Sequence, residues 1–367
     1  MTKFSGSTIA LLLIVATSRV FAAAPSTAAA PAAAPAQHSR AEVDAIIEKA
    51  GTTPPDWWAT EKLVYPPTLD LTWAKPVPKE PWTPNKYLGQ YLWSVINENP
   101  SKWKSGARLL HYTLEVNKSD PDKLKQSMRA LGALYHNMLC DYARSAYWYR
   151  KAGLDPDDIP TALVDCYWKL GNKDMAVELL KKMGADDTRH GVVIKLWADM
   201  GEYDTALKLS QEKAKDDIAD IGYLMAGDTC RLAGRLKEAL DFYGKVLSLT
   251  DGGRDIKQTK ARATASIEAL KVYDLLDLKK VPDGTYSSSS YGYSGPVNVN
   301  VAVKAGKIDS VTVGEHHEKQ YYASITETPR RIIAKQSVKG IDTFSSATIT
   351  SQAIINATAK ALSSGMK

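Results

Sequence analysis

The chain has 367 residues, enough for two or three folded units at about 150 residues each. Hydrophobic residues make up 44% and charged residues 24%, which are globular values that argue against a wholly disordered chain and against a polytopic membrane protein. The formal net charge of +6 is spread along the chain, which argues against a nucleic-acid partner. The three cysteines form no CxxC pair, which argues against a zinc site and a disulfide framework.

A secretory signal is predicted at the N-terminus. Lys3 gives a positive start, and residues 9–16 (IALLLIVA) form a short apolar stretch followed by small residues, which is the layout of a cleaved signal peptide. The alternative, a transmembrane anchor, needs about 20 apolar residues, and Ser18 and Arg19 interrupt this stretch. We therefore predict a signal peptide over residues 1–24 and a periplasmic or extracytoplasmic protein, soluble or peripheral to a membrane.

Two segments without a helical pattern follow. Residues 25–50 are predicted to be a spacer, because they begin with a run of almost only Ala and Pro, which cannot bury a core. Residues 51–85 predict an extended arm rich in Pro and Trp, with rings at Trp57, Trp58, Trp73 and Trp82. Disordered linkers are poor in aromatic residues. We therefore expect these rings to pack on the helical body that follows rather than to form a platform for a ligand.

Residues 86–277 are predicted to be helical, with apolar residues every three or four positions. Within them one phrase recurs, in which a Gly is followed five positions later by an Ala. The three copies contain Gly171 and Ala176, Gly201 and Ala206, and Gly234 and Ala239. The pattern predicts helix pairs joined by tight turns, which bury their apolar faces only by stacking on neighbouring pairs.

These phrases resemble the tetratricopeptide repeat, in which a large side chain on the first helix packs against a small one on the second. The resemblance implies a concave surface that docks a peptide or another protein. Cys230 takes the position that Tyr167 and Trp197 hold in the other copies. It is therefore predicted to be a small buried hydrophobe rather than a reactive thiol.

The composition of the last part of the chain changes to Tyr, Ser, Val and Gly. Apolar and polar residues alternate over 297–303 and a second apolar stretch follows at 308–313, which predicts a hairpin with one buried face. Residues 325–336 and 351–362 have helical patterns. Residues 281–363 therefore predict an α+β domain large enough to fold alone. The fold class of the chain is an all-α repeat region followed by this small α+β domain.

An ordered set of motifs runs through the same segment. It consists of Asp283-Gly284-Thr285-Tyr286, Tyr291-Gly292-Tyr293-x-Gly295-Pro296, Val303-Lys304-x-Gly306-Lys307-Ile308, Glu315-His316, and Asp342-x-x-Ser345-Ser346-Ala347-Thr348-x-Thr350-Ser351. In this order the motifs resemble the FMN-binding domain found in the C subunit of the sodium-pumping NADH:quinone oxidoreductase and in the G subunit of the Rnf complex. The ordered set is more specific than any one motif.

The resemblance implies that FMN is attached to Thr348 through a phosphoester, by a flavin transferase that uses FAD outside the cytoplasm. It also implies that Asp342 is recognised by the transferase, and that Ser345, Ser346 and Ala347 keep the loop slim enough to enter its active site. Ser346 stands where the family commonly has Gly, so the loop is strained or differently shaped if this position requires a positive φ.

The residue types fit such a cofactor without the resemblance. A phosphate on Thr348 would lie just before the final helix, whose unpaired N–H groups and dipole favour an anion, and Thr350 and Ser351 could add hydroxyl donors. The alternative is a polar turn and helix cap without a ligand. His316 and His317 are not expected to share a metal ion, because neighbours on a strand point to opposite faces.

We predict an exported electron carrier with covalent FMN, docked by its helical repeats to an unknown redox protein, with a membrane redox complex as a candidate partner. The sequence contains no motif of a self-contained enzyme, so electron transfer is favoured over an independent enzymatic activity. Two alternatives stay open. One is an exported tetratricopeptide-like scaffold without redox activity, and the other is a flavin-dependent reductase.

Overall fold

The computed structural model describes residues 36–154, 159–183, 190–215, 218–253 and 255–366. The predicted signal peptide and nearly all of the Ala/Pro-rich run lie outside these ranges. Among the helices of the described ranges, none is long and apolar enough to cross a membrane.

The first part of the structure is helical, as predicted. Its helices are α1 (Arg40–Thr52), α2 (Leu88–Tyr91), α3 (Trp103–Val116), α4 (Pro121–Asn137), α5 (Tyr142–Lys151), α6 (Thr161–Lys169), α7 (Lys173–Lys182), α8 (His190–Asp199), α9 (Tyr203–Lys213), α10 (Ala219–Leu232), α11 (Leu236–Ser248) and α12 (Ile256–Tyr273). From α4 to α11 they pack as successive pairs, and α12 packs on α11.

The predicted turn glycines join the helices of three pairs. Gly171, Gly201 and Gly234 all have a positive φ, between 75° and 83°. Glycine adopts this backbone conformation at little cost because it has no Cβ. The alanines that follow them are fully buried, which lets the paired helices approach closely. These residues are Ala176, Ala206 and Ala239. The helix-pair prediction is confirmed, and so is the buried position of Cys230.

The end of the predicted spacer is a helix. α1 begins with a capping box in which Ser39 and Glu42 bond reciprocally, and it packs against α5 through its apolar stripe. Val43 and Ile47 on that stripe are buried. The prediction of a spacer up to residue 50 is therefore wrong from residue 40 onward. The capping box defines the start of the helix, and the apolar residues Val43 and Ile47, four positions apart, form the face that is buried.

The Pro/Trp-rich arm contains neither a long helix nor a strand. Trp57 and Trp73 pack against the core of the helical region, and Trp73 Nε1 also donates to Ser127 Oγ at 2.8 Å. Trp58 contacts the His111 ring edge-on, with centroids 4.8 Å apart. The packing interpretation is confirmed for these three rings, whereas Trp82 is 59% exposed.

The last part of the structure is a three-stranded antiparallel sheet with two helices. The strands are β1 (Gly284–Tyr291), β2 (Pro296–Lys304) and β3 (Lys307–Val313), in that order across the sheet, and the helices are α13 (Ser324–Lys335) and α14 (Thr348–Gly365). The predicted hairpin is β2 and β3. β1 was not predicted as a strand, because its run of serines lacks the alternation that marks a buried face.

The alternating valines of β2 carry the buried face of the sheet. Val297, Val299, Val301 and Val303 are at most 3% exposed, while the residues between them are exposed or half-buried. α14 packs on β1 and β2 over this face, with α13 and α12 beside it. Because α14 has neighbours on most sides, 13 of its 18 residues are buried.

The helical and α+β regions share their cores. One core joins residues of α10, α11 and α12 to the sheet valines and to Ile354 of α14. A second core joins Leu131 and Tyr135 of α4 to Phe344 and Ala347, which precede α14. The C-terminal region therefore buries part of its apolar surface against the helical region. Folding of residues 281–363 on their own stays a prediction.

Candidate functional site

Thr348 is the first residue of α14, so its hydroxyl lies at the N-terminal end of that helix. The helix starts three residues earlier than predicted, and Ala347 precedes it instead of a capping Ser or Thr. Thr348 Oγ1 is 3.4 Å from the carbonyl oxygen of Phe344 and 3.5 Å from that of Ser345, which is long for hydrogen bonds of a hydroxyl. The hydroxyl is therefore loosely held at a helix end that favours an anion.

A cavity of about 630 Å³ lies beside Thr348. Its near wall is residues 343 and 345–350, which form the loop into α14 and the first turn of that helix. Its far wall belongs to α8, α10 and α12 of the helical region and includes Lys195, Asp199, Asp228, Arg231 and Arg262. Ligand sites commonly hold about 300–1,000 Å³. The cavity is therefore large enough for a mononucleotide.

Asp342, assigned by resemblance to recognition by a transferase, contacts three cations. Its carboxylate oxygens lie 2.6 Å from Lys169 Nζ of α6, 3.3 Å from Lys195 Nζ of α8 and 3.2 Å from Arg331 Nη1 of α13. Burial would raise the pKa of Asp342, but the three cations hold it well below its ordinary value. These charges fix the loop before Thr348 to the helical region.

Two more carboxylates extend this arrangement. Asp199 forms an ion pair with Lys195, and the pKa of Asp199 is well above its ordinary value because the group is buried near another carboxylate. Asp165 Oδ2 lies 2.9 Å from His136 Nε2. Against the effect of burial, Lys169 and His136 lower the pKa of Asp165 to about 2. We call the following set the ionic cluster: Asp165, Lys169, Lys195, Asp199, Arg331 and Asp342.

Three small residues lead into α14 and pack against the helical region. Ser345 Oγ lies 3.4 Å from Lys195 Nζ, and Ser346 Oγ donates to Asn137 Oδ1 at 2.5 Å. Ala347 is buried in the core shared with α4. Ser346 is not among the residues with a positive φ, so Ser in place of the commoner Gly causes no backbone strain there.

Thr350 and Ser351, expected to donate to an anion, have partners within the protein. Thr350 Oγ1 donates to the Glu318 carboxylate, and Ser351 Oγ accepts the N–H of Phe344 at 3.0 Å. Glu318 also accepts the N–H of Ser294 at 2.8 Å. Sequence reasoning missed Glu318, because its partners lie on separate segments of the chain. A role of the two hydroxyls toward a ligand stays a prediction.

His316 and His317 lie in the loop after β3 and not on the strand. The His316 ring meets the Tyr321 ring edge-on, with centroids 5.1 Å apart, whereas His317 is exposed. Within the described ranges, no group of three or more His, Cys, Asp or Glu side chains could hold a metal ion.

Two arginines on the far wall were also missed by the sequence analysis. Arg231 of α10 is 9% exposed, and its Nη2 donates to the Tyr273 hydroxyl. Its Nη1 is buried without a hydrogen-bond partner among the described residues, and the same holds for Nε of Arg262 on α12. No motif marks either residue, since both belong to ordinary helical patterns far from Thr348 in sequence.

Residues 292–363 match the family model of the FMN-binding domain. The chain carries an FMN-binding domain at its C-terminus. The match includes Asp342, Thr348 and nearly all of α14, so the near wall of the cavity belongs to this domain. FMN is accordingly the cofactor, as predicted.

The chain is also similar to an uncharacterized protein of Treponema pallidum (strain Nichols), with 31% identity over 126 residues. The alignment covers 34% of this chain and 34% of that relative, so the chain spans about a third of the relative's length. No solved structure matches the chain significantly.

The residues around the cavity fit FMN. The loosely held Thr348 hydroxyl and the N-terminus of α14 suit its phosphate, and the cavity volume suits its ring system. On the far wall, the side chains of Arg231 and Arg262 add positive charge beside the cavity. The FMN-binding domain therefore supplies one wall of this cavity, and the helical region supplies the other.

Proposed function

We propose that this protein is an exported electron carrier in which FMN is attached to Thr348 through a phosphoester. The observation that carries the proposal is the position of Thr348, inside the matched FMN-binding domain, at the start of α14 and on the wall of a cavity of about 630 Å³. Bound FMN supplies one- and two-electron chemistry. The chain holds it and encloses it between two walls.

The attachment is a substitution at phosphorus. The Thr348 oxygen forms a bond to the FMN phosphorus of FAD, the pyrophosphate bond breaks, AMP leaves, and the hydroxyl proton passes to solvent. A flavin transferase outside the cytoplasm would catalyse this step, which agrees with the predicted signal peptide over residues 1–24. A covalent link suits an exported carrier, because a dissociated flavin would be lost to the surroundings.

The helical region is proposed to dock the redox partner. Its stacked helix pairs, with positive-φ glycines at three turns, support the resemblance to tetratricopeptide repeats, which bind peptides and proteins. A partner in a membrane redox complex would then exchange electrons with the flavin.

The experiment is mass spectrometry and in-gel flavin fluorescence of the denatured protein, made with and without a co-expressed flavin transferase. We expect the transferase to add one FMN less one water, on the peptide that contains Thr348. Thr348→Ala should abolish the gain completely. Thr343→Ala removes a hydroxyl from the same near wall and should leave it unchanged.

The outcomes separate the parts of the proposal. Covalent flavin on Thr348→Ala would place the bond elsewhere. Wild-type protein without covalent flavin but with tightly bound FMN would reduce the proposal to a non-covalent carrier. Colourless protein from a transferase-competent host would favour the scaffold without redox activity.

A further inference from the structure

Two aromatic side chains line the cavity and are also open to solvent. Trp93, on the segment after α2, is 45% exposed, and Tyr293, in the connection between β1 and β2, is 60% exposed. Within the described ranges, neither ring contacts another aromatic ring or a cation, whereas Tyr65 and Tyr112 stack on each other with centroids 6.1 Å apart. Both rings are therefore accessible to a ligand in the cavity.

Tyr293 is held close to the first turn of α14. The N–H of its neighbour Ser294 donates to the Glu318 carboxylate at 2.8 Å. The same carboxylate accepts a hydrogen bond from Thr350 Oγ1, two residues after Thr348 in that first turn. These bonds fix the connection that carries Tyr293 beside the proposed attachment point of the flavin.

Trp93 is held beside the same place from the helical region. It lies in Leu92–Ile96, one turn of π-helix that continues α2, and such turns are rare and occur frequently at functional sites. Ile96 of this turn is buried. Just after the turn, the carbonyl oxygen of Glu98 accepts a hydrogen bond at 2.6 Å from the hydroxyl of Tyr321 in the FMN-binding domain. The segment that carries Trp93 is therefore joined to the domain three residues after Glu318.

The ring system of FMN has the complementary chemistry. In the proposed function the phosphate is fixed at Thr348, and the ribityl chain carries a flat aromatic ring system away from it. Flat rings stack on aromatic side chains, which bury apolar surface and gain dispersion contacts. The indole of Trp93 and the phenol of Tyr293 carry no charge that would attract a phosphate. The two side chains therefore match the ring of FMN and not its phosphate.

We propose that Trp93 and Tyr293 stack on the flavin ring and hold it in the cavity. This inference rests on the proposed function. Trp93 lies outside residues 292–363, which match the FMN-binding domain, so the helical region supplies a cofactor-binding side chain as well as a docking module. The FMN-binding domain alone would lack this contact.

The test is the affinity of the full chain for free riboflavin and free FMN in the Thr348→Ala background, where no covalent bond holds the flavin. We expect Trp93→Leu and Tyr293→Leu each to weaken both flavins about tenfold, the scale of one ring stacked on an aromatic side chain. Trp93→Phe and Tyr293→Phe keep a ring and should keep most of the affinity. Because both side chains are exposed, the variants are expected to fold.

Two exposed aromatic residues outside the cavity lining serve as controls. Trp82 is 59% exposed and donates through Nε1 to Ser94 Oγ at 2.8 Å, so Trp82→Leu alters the contacts of the Trp93 segment and removes no cavity ring. Tyr112 on α3 is 40% exposed. Trp82→Leu and Tyr112→Leu should leave both affinities unchanged. A loss in Trp82→Leu as large as that in Trp93→Leu would overturn the inference for Trp93.

Flavin fluorescence of the loaded, folded protein gives a second readout. An indole or phenol in contact with a photoexcited flavin donates an electron to it and takes the electron back, which quenches the emission without a net reaction. Trp93→Leu and Tyr293→Leu should therefore raise the emission of the folded protein, and denaturation should bring all variants to the same level.

The two proposals fail in different ways. Wild-type protein that binds no flavin, covalently or otherwise, overturns the proposed function and this inference with it. Wild-type protein that carries flavin, with both Leu variants at the parental affinity and emission, overturns this inference alone. A loss confined to FMN, with riboflavin unchanged, would place the two side chains at the phosphate and would also overturn it.

Discussion

Two groups of largely buried cations differ in how they are paired. The first belongs to the ionic cluster, and the second is Arg231 and Arg262 on the far wall of the cavity. In the ionic cluster, Lys169, Lys195 and Arg331 each lie within 3.3 Å of a carboxylate oxygen of Asp342. On the far wall, by contrast, two arginines each keep a buried donor without a partner among the described residues. Removing charge from water costs free energy in both groups. Carboxylates compensate the first group, whereas Arg231 is compensated by the hydroxyl and the ring of Tyr273.

The difference indicates two separate tasks. The paired charges come from α6, α8 and α13 and converge on the loop before Thr348, so they join the helical region to the FMN-binding domain. Arg231 and Arg262 instead line the cavity from α10 and α12. Changes in the ionic cluster should therefore alter stability.

The largest effect on stability is expected from Asp342→Asn. The change leaves three buried cations without their shared carboxylate, and breaking a buried ion pair from one side typically costs about 3–5 kcal/mol. The free energy of unfolding from urea titration measures this loss. Glu238→Gln is the control, because the side chains of the Arg235–Glu238 pair are 36% and 47% exposed and exposed ion pairs contribute little to stability. Equal losses in the two variants would show that the ionic cluster does not join the regions.

The sequence predicted the helices and strands better than the contacts that join the helical region to the FMN-binding domain. The alternating valines of β2 and the recurring Gly and Ala residues are local patterns, and both were confirmed. The ion pairs of Asp342 with Lys169 and Lys195 join residues 173 and 147 positions apart, and no local periodicity marks such contacts. Arg231 and Arg262 were missed for the same reason. The capping box of α1 was a local signal present in the sequence, and the composition of the preceding Ala/Pro run obscured it.

A smaller effect is expected from pH, through the carboxylates of the ionic cluster. The pKa of Asp165 is about 2 in the folded protein and about 3.9 when unfolded, so Asp165 contributes about 2–3 kcal/mol above pH 4 that is lost as the pH falls from 4 to 2. The depressed pKa of Asp342 acts in the same direction. The pKa of Asp199 is raised, so the folded protein binds this proton more tightly than the unfolded chain does. The free energy of unfolding therefore increases as the pH falls through that raised pKa.

Unfolding free energies between pH 8 and pH 2 test these signs. Stability should rise as the pH falls through the raised pKa of Asp199 and should then drop below pH 4. Asp199→Asn should remove the rise and keep the drop. Asp165→Asn should reduce the drop. A wild-type profile that stays level from pH 4 to pH 2 would contradict the pairing of the ionic cluster.

The smallest effect is expected from Ser346→Gly, which introduces the residue common in the family. Ser346 has no positive φ, so Gly relieves no strain; it removes the hydrogen bond to Asn137 and adds backbone freedom to the unfolded chain. We expect a loss of about 1 kcal/mol, measured by urea unfolding, with flavin attachment unchanged. Ser346→Ala removes only the hydrogen bond, so its free energy of unfolding should lie between those of the wild type and Ser346→Gly. If Ser346→Gly were more stable than the wild type and Ser346→Ala, the loop would be strained, and the ionic cluster would be holding it in place against that strain.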